Sequence, residues 1–435
     1  MPSSLSSQLD AAWSRAGHPP LCVAFSGGRD SLALLHALAS LRTAQRSLRA
    51  VHVNHGLHAD SDAWAASCAR WCAQWDVPLE IVTVQVDLRG EGLEAAARTA
   101  RYAAFADILR AGERLVTAHH RDDQAETVLL KLLRGAGPHG LGGMRELRSL
   151  GRGQLWRPLL ATPRERLHAY ARAQGLHGID DPANADPRHA RSFLRQTILP
   201  QLHRHWPEAE RALAHAANLQ REQADFIDQH AASALDTLCR ANDRSMDAAG
   251  WLALHPALRA CVLERWLHEL DLPAPTTAQR HELERQMREA AADRLPRIAW
   301  PGAEVRLWRQ RLYAMRPQAP LSGAWSTHWH GARLALPDSG ALYWHGSTTD
   351  ATAFPTIRVD LNVRGLHFRP HGDRHTRALR DLFQQAAVPP WLRRRCPILY
   401  TPDGALLGVA DLWTTDAGAA LFGEFDLWPR WQRET

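Results

Sequence analysis

Residues 21–40, LCVAFSGGRDSLALLHALAS, constrain the fold more than any other stretch. An apolar run, Leu21–Phe25, meets Ser26-Gly27-Gly28-Arg29-Asp30-Ser31, and an apolar-periodic run from Leu32 to Leu38 follows at once. This reads as a strand, a glycine turn and a helix start. The pattern recurs along the first part of the chain. Strands are expected at 21–25, 50–53, 79–86 and 115–118, and helices at 31–41, 63–75, 93–109 and 122–133. Strands alternating with helices imply an α/β domain with a parallel sheet covered on both faces. Ligands of such sheets bind beyond the carboxyl ends of the strands.

From about Pro207 the character changes. Residues 208–240 and 251–291 read as helices rich in Ala, Leu, Glu and Arg, with a turn at 271–277. Residues 320–350 are rich in Gly, Ser and Trp, with short β-like pieces. A last unit mixes strands with one helix, TRALRDLFQQA. The expected division is therefore an α/β domain at 1–207, a helical domain at 208–319, a linker or edge at 320–355 and a small α+β domain at 356–435.

With 435 residues, 45% of them hydrophobic, the chain has ample material for several cores. No apolar run is long enough to cross a bilayer. The N-terminus lacks a basic segment followed by an apolar stretch, so a cytoplasmic protein without membrane contact is expected. The six cysteines form no framework, and Cys68 and Cys72 read as a buried helix face rather than a metal site. The net charge of +6 permits an anionic partner. Lys131 is the single lysine; every other cationic side chain of this set is an arginine, which suits bidentate phosphate contacts.

A glycine turn between strand and helix makes an anion site, because helix-start N–H groups lack partners and glycine lets backbone approach phosphate. This one is not a Walker A loop, which needs Lys before Ser/Thr where Asp30 stands here. Ser26-Gly27-Gly28-Arg29-Asp30-Ser31 resembles the SGGxDS loop of the PP-loop ATP pyrophosphatases. Their adenine-nucleotide hydrolase-like domains cleave ATP between its α and β phosphates. Three further stretches resemble the tRNA(Ile)-lysidine synthetase family: VHVNHGLHADSDAW (51–64), TAHHRDDQAETVLLKLLRGAGPHGLGGM (117–144) and DDPANADPRHARSFLRQTILPQL (180–202). The last departs from the family at Ala183 and Ser192, where Ser and Asn are common. The C-terminal stretch LHFRPHGDRHTRALRDLFQQ is similar as well.

The resemblance implies ATP and Mg2+ as cofactors, with Ser26, Gly27, Gly28, Arg29, Asp30 and Ser31 on the phosphates and Asp30 on the metal. It implies free L-lysine and the CAU-anticodon tRNA(Ile) as partners. Asn54 and His55 follow the second strand and are expected near adenine or ribose. Asp123 and Glu126 are i, i+3 neighbours sharing one helix face. They suit the ammonium of lysine or magnesium on ATP. His119 suits phosphate contact or proton transfer. Asp30, His119, Asp123 and Glu126 thus form the expected catalytic set. Arg98 and Arg101 with Tyr102, Arg191 and Arg195, and Arg393, Arg394 and Arg395 are the candidate tRNA contacts. The glycines from 135 to 143 read either as a mobile substrate loop or as a helix-ending linker. The sequence leaves oligomeric state open, a homodimer included.

The reaction implied is attack of the wobble cytidine carbonyl oxygen on the α phosphate, loss of pyrophosphate, and displacement of AMP by the lysine amine. A tRNA 2-thiolating enzyme is the nearest rival, and the CxxC pairs commonly used there are absent from the sequence. A small-molecule amidating synthetase leaves the basic C-terminal unit unexplained. A non-catalytic RNA-binding protein leaves Asp30, Asp123 and Glu126 unexplained.

Overall fold

The structure is a computed structural model. It describes residues 4–86, 93–180, 190–289, 295–319, 321, 323–337, 339–346 and 354–433. Contacts divide the chain into Met1–Phe226 and Ile227–Thr435.

The first unit begins with helix α1 (Leu5–Arg15). Then follow β1 (Leu21–Ala24), α2 (Arg29–Ala39), β2 (Leu48–Asn54), α3 (Ser61–Gln74), β3 (Leu79–Thr83), α4 (Leu93–Ile108) and β4 (Arg114–Val116). Next come α5 (Arg121–Leu133), the short α6 (Pro138–Leu141), β5 (Leu147–Leu150), β6 (Gly153–Trp156) and α7 (Arg164–Ala173). After α8 (Ala190–Phe193) the chain widens into a π-helical turn, Leu194–Ile198. It continues as α9 (Leu199–His205) and α10 (Ala209–Leu238).

The six strands form one sheet in the order β3-β2-β1-β4-β6-β5. All neighbours run parallel except the β5–β6 hairpin. Side chains alternate across a strand. Leu21 and Val23 accordingly join Trp13, Leu32, Leu35, Cys68, Cys72 and Leu167 in one core layer. Cys22 between them joins Phe105, Leu109 and Leu115 in the other. Cys68 and Cys72 are buried within their layer.

The strand order reverses between β1 and β4. The loops leaving these two strands therefore flank one crevice, the usual ligand position in such sheets.

The glycine run after α5 is anchored. Gln124 exchanges two hydrogen bonds with the Met144 backbone, at 3.0 and 2.7 Å. Arg221 of α10 donates to the carbonyls of Gly142 and Met144.

In the second unit the segment read as helical also carries a sheet. Helices Pro256–Glu269 and Thr277–Glu289 accompany a four-stranded sheet built from 246–247, 297–300, 303–308 and 311–315. Strands 325–329 and 340–346 pair with 357–361 and 427–432. The expected helix appears as Leu379–Gln385, joined by a short Pro390–Arg393 turn and by the unforeseen Asp416–Phe425. Among the described residues no helix is long and apolar enough to cross a membrane.

Candidate active site

Helix α2 starts at Gly28 without a side-chain cap, so its first N–H groups are available to an anion. The loop before it is rigidly built. Ser31 Oγ donates to the Gly28 carbonyl at 2.9 Å and lies 3.1 Å from Ser26 Oγ. The Ile179 amide donates to the Gly27 carbonyl at 2.9 Å. Gly27 has φ +79°, a conformation other residues seldom adopt, and a Cβ there would sit 2.5 Å from Ile179 Cδ1. Arg29 lies 3.7 Å from Asp180.

Gly178 packs directly beneath the loop. A Cβ on it would lie 2.5 Å from the Arg29 nitrogen and 2.7 Å from Arg29 Cα. Because these are backbone atoms, Gly178→Ala is expected to push the loop off its phosphate-binding geometry and weaken ATP binding by about a hundredfold. Equilibrium binding of ATP checks this, and wild-type affinity in the variant would show that the loop tolerates the shift.

Asp30, in the first turn of α2, meets two histidines and an arginine. His168 Nε2 is 3.1 Å from Oδ1, while His120 Nε2 and Arg164 Nε are 3.5 and 4.0 Å from Oδ2. Burial opposes the charge of Asp30. Hydrogen bonding to His120 and His168, aided by Arg164, outweighs it and holds the carboxyl far below the usual carboxylate range. His168 and Arg164 come from α7 and were not foreseen. A His four residues after an Arg on an ordinary amphipathic helix carries no signal of its own.

His120, only 1% exposed, caps α5. Its Nδ1 accepts from the Asp123 amide at 3.3 Å, and Asp123 Oδ2 accepts from the His120 amide at 3.1 Å. Burial disfavours its cation, but Asp30, Asp123 and Asp122 prevail and raise its pKa. The neighbouring His119 differs. Its Nδ1 lies 2.7 Å from Thr117 Oγ1. Burial, assisted by Arg157, Arg98 and Arg191, drives its pKa well down against the pull of Asp123. The two adjacent histidines are thus shifted in opposite directions.

Asp123 and Glu126 share a face of α5, and both are engaged. Arg195, on the π-helical turn, donates through Nε to Glu126 Oε1 at 2.6 Å. Its Nη2 reaches Glu126 Oε2 at 3.0 Å and Asp123 Oδ1 at 3.1 Å. Glu126 is 1% exposed; burial raises its pKa, and Arg195 offsets this only in part. Arg195, expected as a phosphate contact, has Nε and Nη2 committed to these acids. Arg191 donates to Thr127 Oγ1 at 3.0 Å.

Asn54 ends β2 as expected, but its amide is taken up locally. It donates to Asp62 at 2.7 Å and accepts from the Gly56 amide at 2.9 Å. That holds the turn into α3 and leaves less of the side chain for a nucleotide. His55 follows it, half-buried. Arg98 and Arg101 lie on α4.

In the second unit Arg395 is 5% exposed and donates to the Ala319 carbonyl. A buried guanidinium does not present itself to a phosphate, so Arg395 leaves the set of candidate contacts. Arg393 is half-buried and donates to the Val388 carbonyl at 2.9 Å, whereas Arg394 is exposed.

A loop of this shape at the switch point of a parallel sheet defines the class of PP-loop nucleotide-binding enzymes. Residues 1–202 match the family model of the PP-loop domain. Residues 246–313 match the TilS substrate binding domain, and 357–431 the TilS substrate C-terminal domain. The chain is 44% identical over 390 residues to the tRNA(Ile)-lysidine synthase of Xanthomonas campestris pv. campestris (strain 8004), covering 88% of each chain. It is 43% identical over 400 residues to that of Xylella fastidiosa (strain Temecula1), covering 90% of each. With the tRNA(Ile)-lysidine synthase of Serratia proteamaculans (strain 568) it shares 38% identity over 438 residues, 98% of this chain and 99% of that one. The chain belongs to the tRNA(Ile)-lysidine synthase family. It is a ligase whose PP-loop domain takes ATP and whose substrate is a tRNA.

Proposed function

We propose that the crevice between β1 and β4 joins free L-lysine to the wobble cytidine of the CAU-anticodon tRNA(Ile). The observation that carries this reading is the cluster of Asp30, His120, Asp123 and Glu126 beside the Ser26–Ser31 loop. ATP phosphates rest on the loop and the start of α2. The cytidine carbonyl oxygen attacks the α phosphate, pyrophosphate leaves, and the lysine amine then displaces AMP. Backbone N–H groups fixed before reaction stabilise the developing charge on phosphate.

Arg195 marks a cation seat on Asp123 and Glu126, and the lysine ammonium takes that seat when the guanidinium moves aside. A free amine has a pKa near 10.4, so it must lose a proton before it attacks. The raised pKa of Glu126 supports a role for that carboxylate as proton acceptor. Neutral His119 serves as a hydrogen-bonding partner rather than as a cation.

Asp30 fits Mg2+ as a single carboxylate ligand. It is ionised, its side chain is 29% exposed, and this ion commonly takes one or two carboxylates with phosphates and water completing its shell. Bound there, the ion would neutralise phosphate charge. No group of three or more ligating side chains among the described residues is arranged to hold a metal by itself.

The roles divide as catalysis in 1–207, substrate binding in 208–319, a linker or edge in 320–355 and tRNA binding in 356–435. The protein works in the cytoplasm. A homodimer is part of this reading, and sedimentation tests it separately. Among the described residues Arg364, Arg374 and Arg394 are exposed and have no carboxylate within 4.0 Å, whereas Arg369, Arg377 and Arg380 pair with Asp416, Asp373 and Asp381. Replacing Arg374 and Arg394 with Ala is expected to weaken tRNA binding and flatten the log K against log salt slope by about one to two units. An unchanged slope would mean that these arginines do not touch the backbone.

The central experiment measures pyrophosphate release from ATP with lysine and tRNA added singly and together. Release should require tRNA, and lysine incorporation should require both. Release with neither would refute the reading.

A further inference from the structure

Two buried arginines of this chain are supplied with acids. Arg49, 9% exposed, carries Glu113 at 2.8 Å and Glu80 at 2.9 Å. Arg259, 5% exposed, carries Glu284 at 2.5 Å. Arg157 is buried more deeply, at 3%, yet among the described residues no carboxylate lies within 4.0 Å of it. Its Nη1 donates to the Arg145 carbonyl at 2.6 Å, and its buried Nε has no hydrogen-bond partner. A buried charge is expensive unless paired.

Two further arginines gather beside it, and among the described residues neither has a carboxylate within 4.0 Å. Arg98 and Tyr102 are one turn apart on α4; the Arg98 guanidinium carbon is 4.8 Å from the Tyr102 ring centroid, and Nη2 reaches the phenol oxygen at 3.5 Å. Arg148 of β5 reaches the same ring at 5.3 Å. The Tyr102 phenol is shifted as this predicts: burial raises its pKa, but Arg98, Arg157 and Arg148 outweigh burial and lower it. Arg157 follows the carboxyl end of β6, the parallel neighbour of β4, whose own following loop carries His119. The cluster therefore lies on the ligand-binding side of the sheet.

We infer that Arg98, Arg148 and Arg157, arranged around Tyr102, form an oxyanion subsite of the active crevice that takes a carboxylate or phosphate group of a substrate. Guanidinium groups bind either oxyanion through paired N–H donors. Two substrates of the proposed reaction bring such a group: the α-carboxylate of lysine and a backbone phosphate of the tRNA. The inference rests on that reaction, since it names the substrates.

The test uses the full-length enzyme with Arg98→Gln, Arg148→Gln and Arg157→Gln. Thermal unfolding checks that each folds, and if Arg157→Gln does not, the Arg98 and Arg148 variants carry the test. Two readouts are compared: KM for L-lysine against the inhibition constant of cadaverine, which lacks the carboxylate, and the salt dependence of tRNA binding. If the subsite holds the lysine carboxylate, lysine KM rises about tenfold while cadaverine inhibition is unchanged. If it holds a tRNA phosphate, the salt slope falls by about one unit with lysine KM unchanged. Either result supports the subsite. Folded variants with wild-type values in both readouts would overturn it, as would equal losses for lysine and cadaverine with an unaltered slope. If the wild type needs neither lysine nor tRNA, the proposed reaction fails; if it works normally and the variants are indifferent, only the subsite fails.

Discussion

Asp30→Asn is expected to reduce tRNA-dependent pyrophosphate release by about a hundred- to a thousandfold. The amide keeps the shape of the carboxylate but not its charge. It leaves His120, His168 and Arg164 converging without an anion between them, and it removes the proposed magnesium ligand. The fold should survive, because the substitution is nearly isosteric. Acid stability provides an independent readout. The folded pKa of Asp30 lies below the unfolded value near 3.9, so its charge contributes stability above that pH, and the contribution is lost as pH falls toward the folded pKa. Wild type should therefore lose more stability than Asp30→Asn as pH is lowered below about 4. Normal pyrophosphate release by a folded variant would remove Asp30 from the reaction.

Glu126→Gln is expected to slow lysine transfer to pre-adenylated tRNA by about a hundredfold or more while sparing adenylation. Gln can still accept one hydrogen bond from Arg195, so packing around the 1%-exposed side chain should hold. It cannot attract an ammonium electrostatically or take its proton. Single-turnover measurement of each half-reaction decides the matter, and equal losses in both would point to phosphate or metal binding instead. Arg195→Ala probes the same pair from the other side. It leaves a buried carboxylate without its partner and should cost about 2–3 kcal/mol of stability. Raising lysine concentration should restore part of that loss if the ammonium occupies the vacated seat.

The part of the site made by consecutive residues was legible in the sequence. Leu21–Ala24, the glycine loop and α2 follow one another, and their chemistry depends on local backbone geometry. Asp123 and Glu126 were legible as one face because helix periodicity is local too. What escaped was contributed from far along the chain. His168 reaches Asp30 across 138 positions, and Gly178 matters only because it lies under Arg29. Burial was equally hidden. Arg393, Arg394 and Arg395 look alike in sequence, but the turn and strand around them bury the third and expose the second. Helix Asp416–Phe425 escaped because Gly418 and Gly423 lower its intrinsic propensity, and packing against the neighbouring sheet sustains it.

The arrangement of the sheet gives its two wings unequal freedom to vary. The histidines and arginine gathered on Asp30 all arrive from the β4 side or from α7. The excursion through β2 and β3 supplies none of them; it touches the loop through Cys68, 3.0 Å from where a Cβ on Gly27 would stand. Insertions or grafted segments at the β3 edge should consequently be tolerated as long as the floor beneath Gly27 is kept. A comparable change in α7 would alter the ionisation of the site itself. An engineer seeking new specificity in this scaffold has one wing to rebuild and another to leave alone.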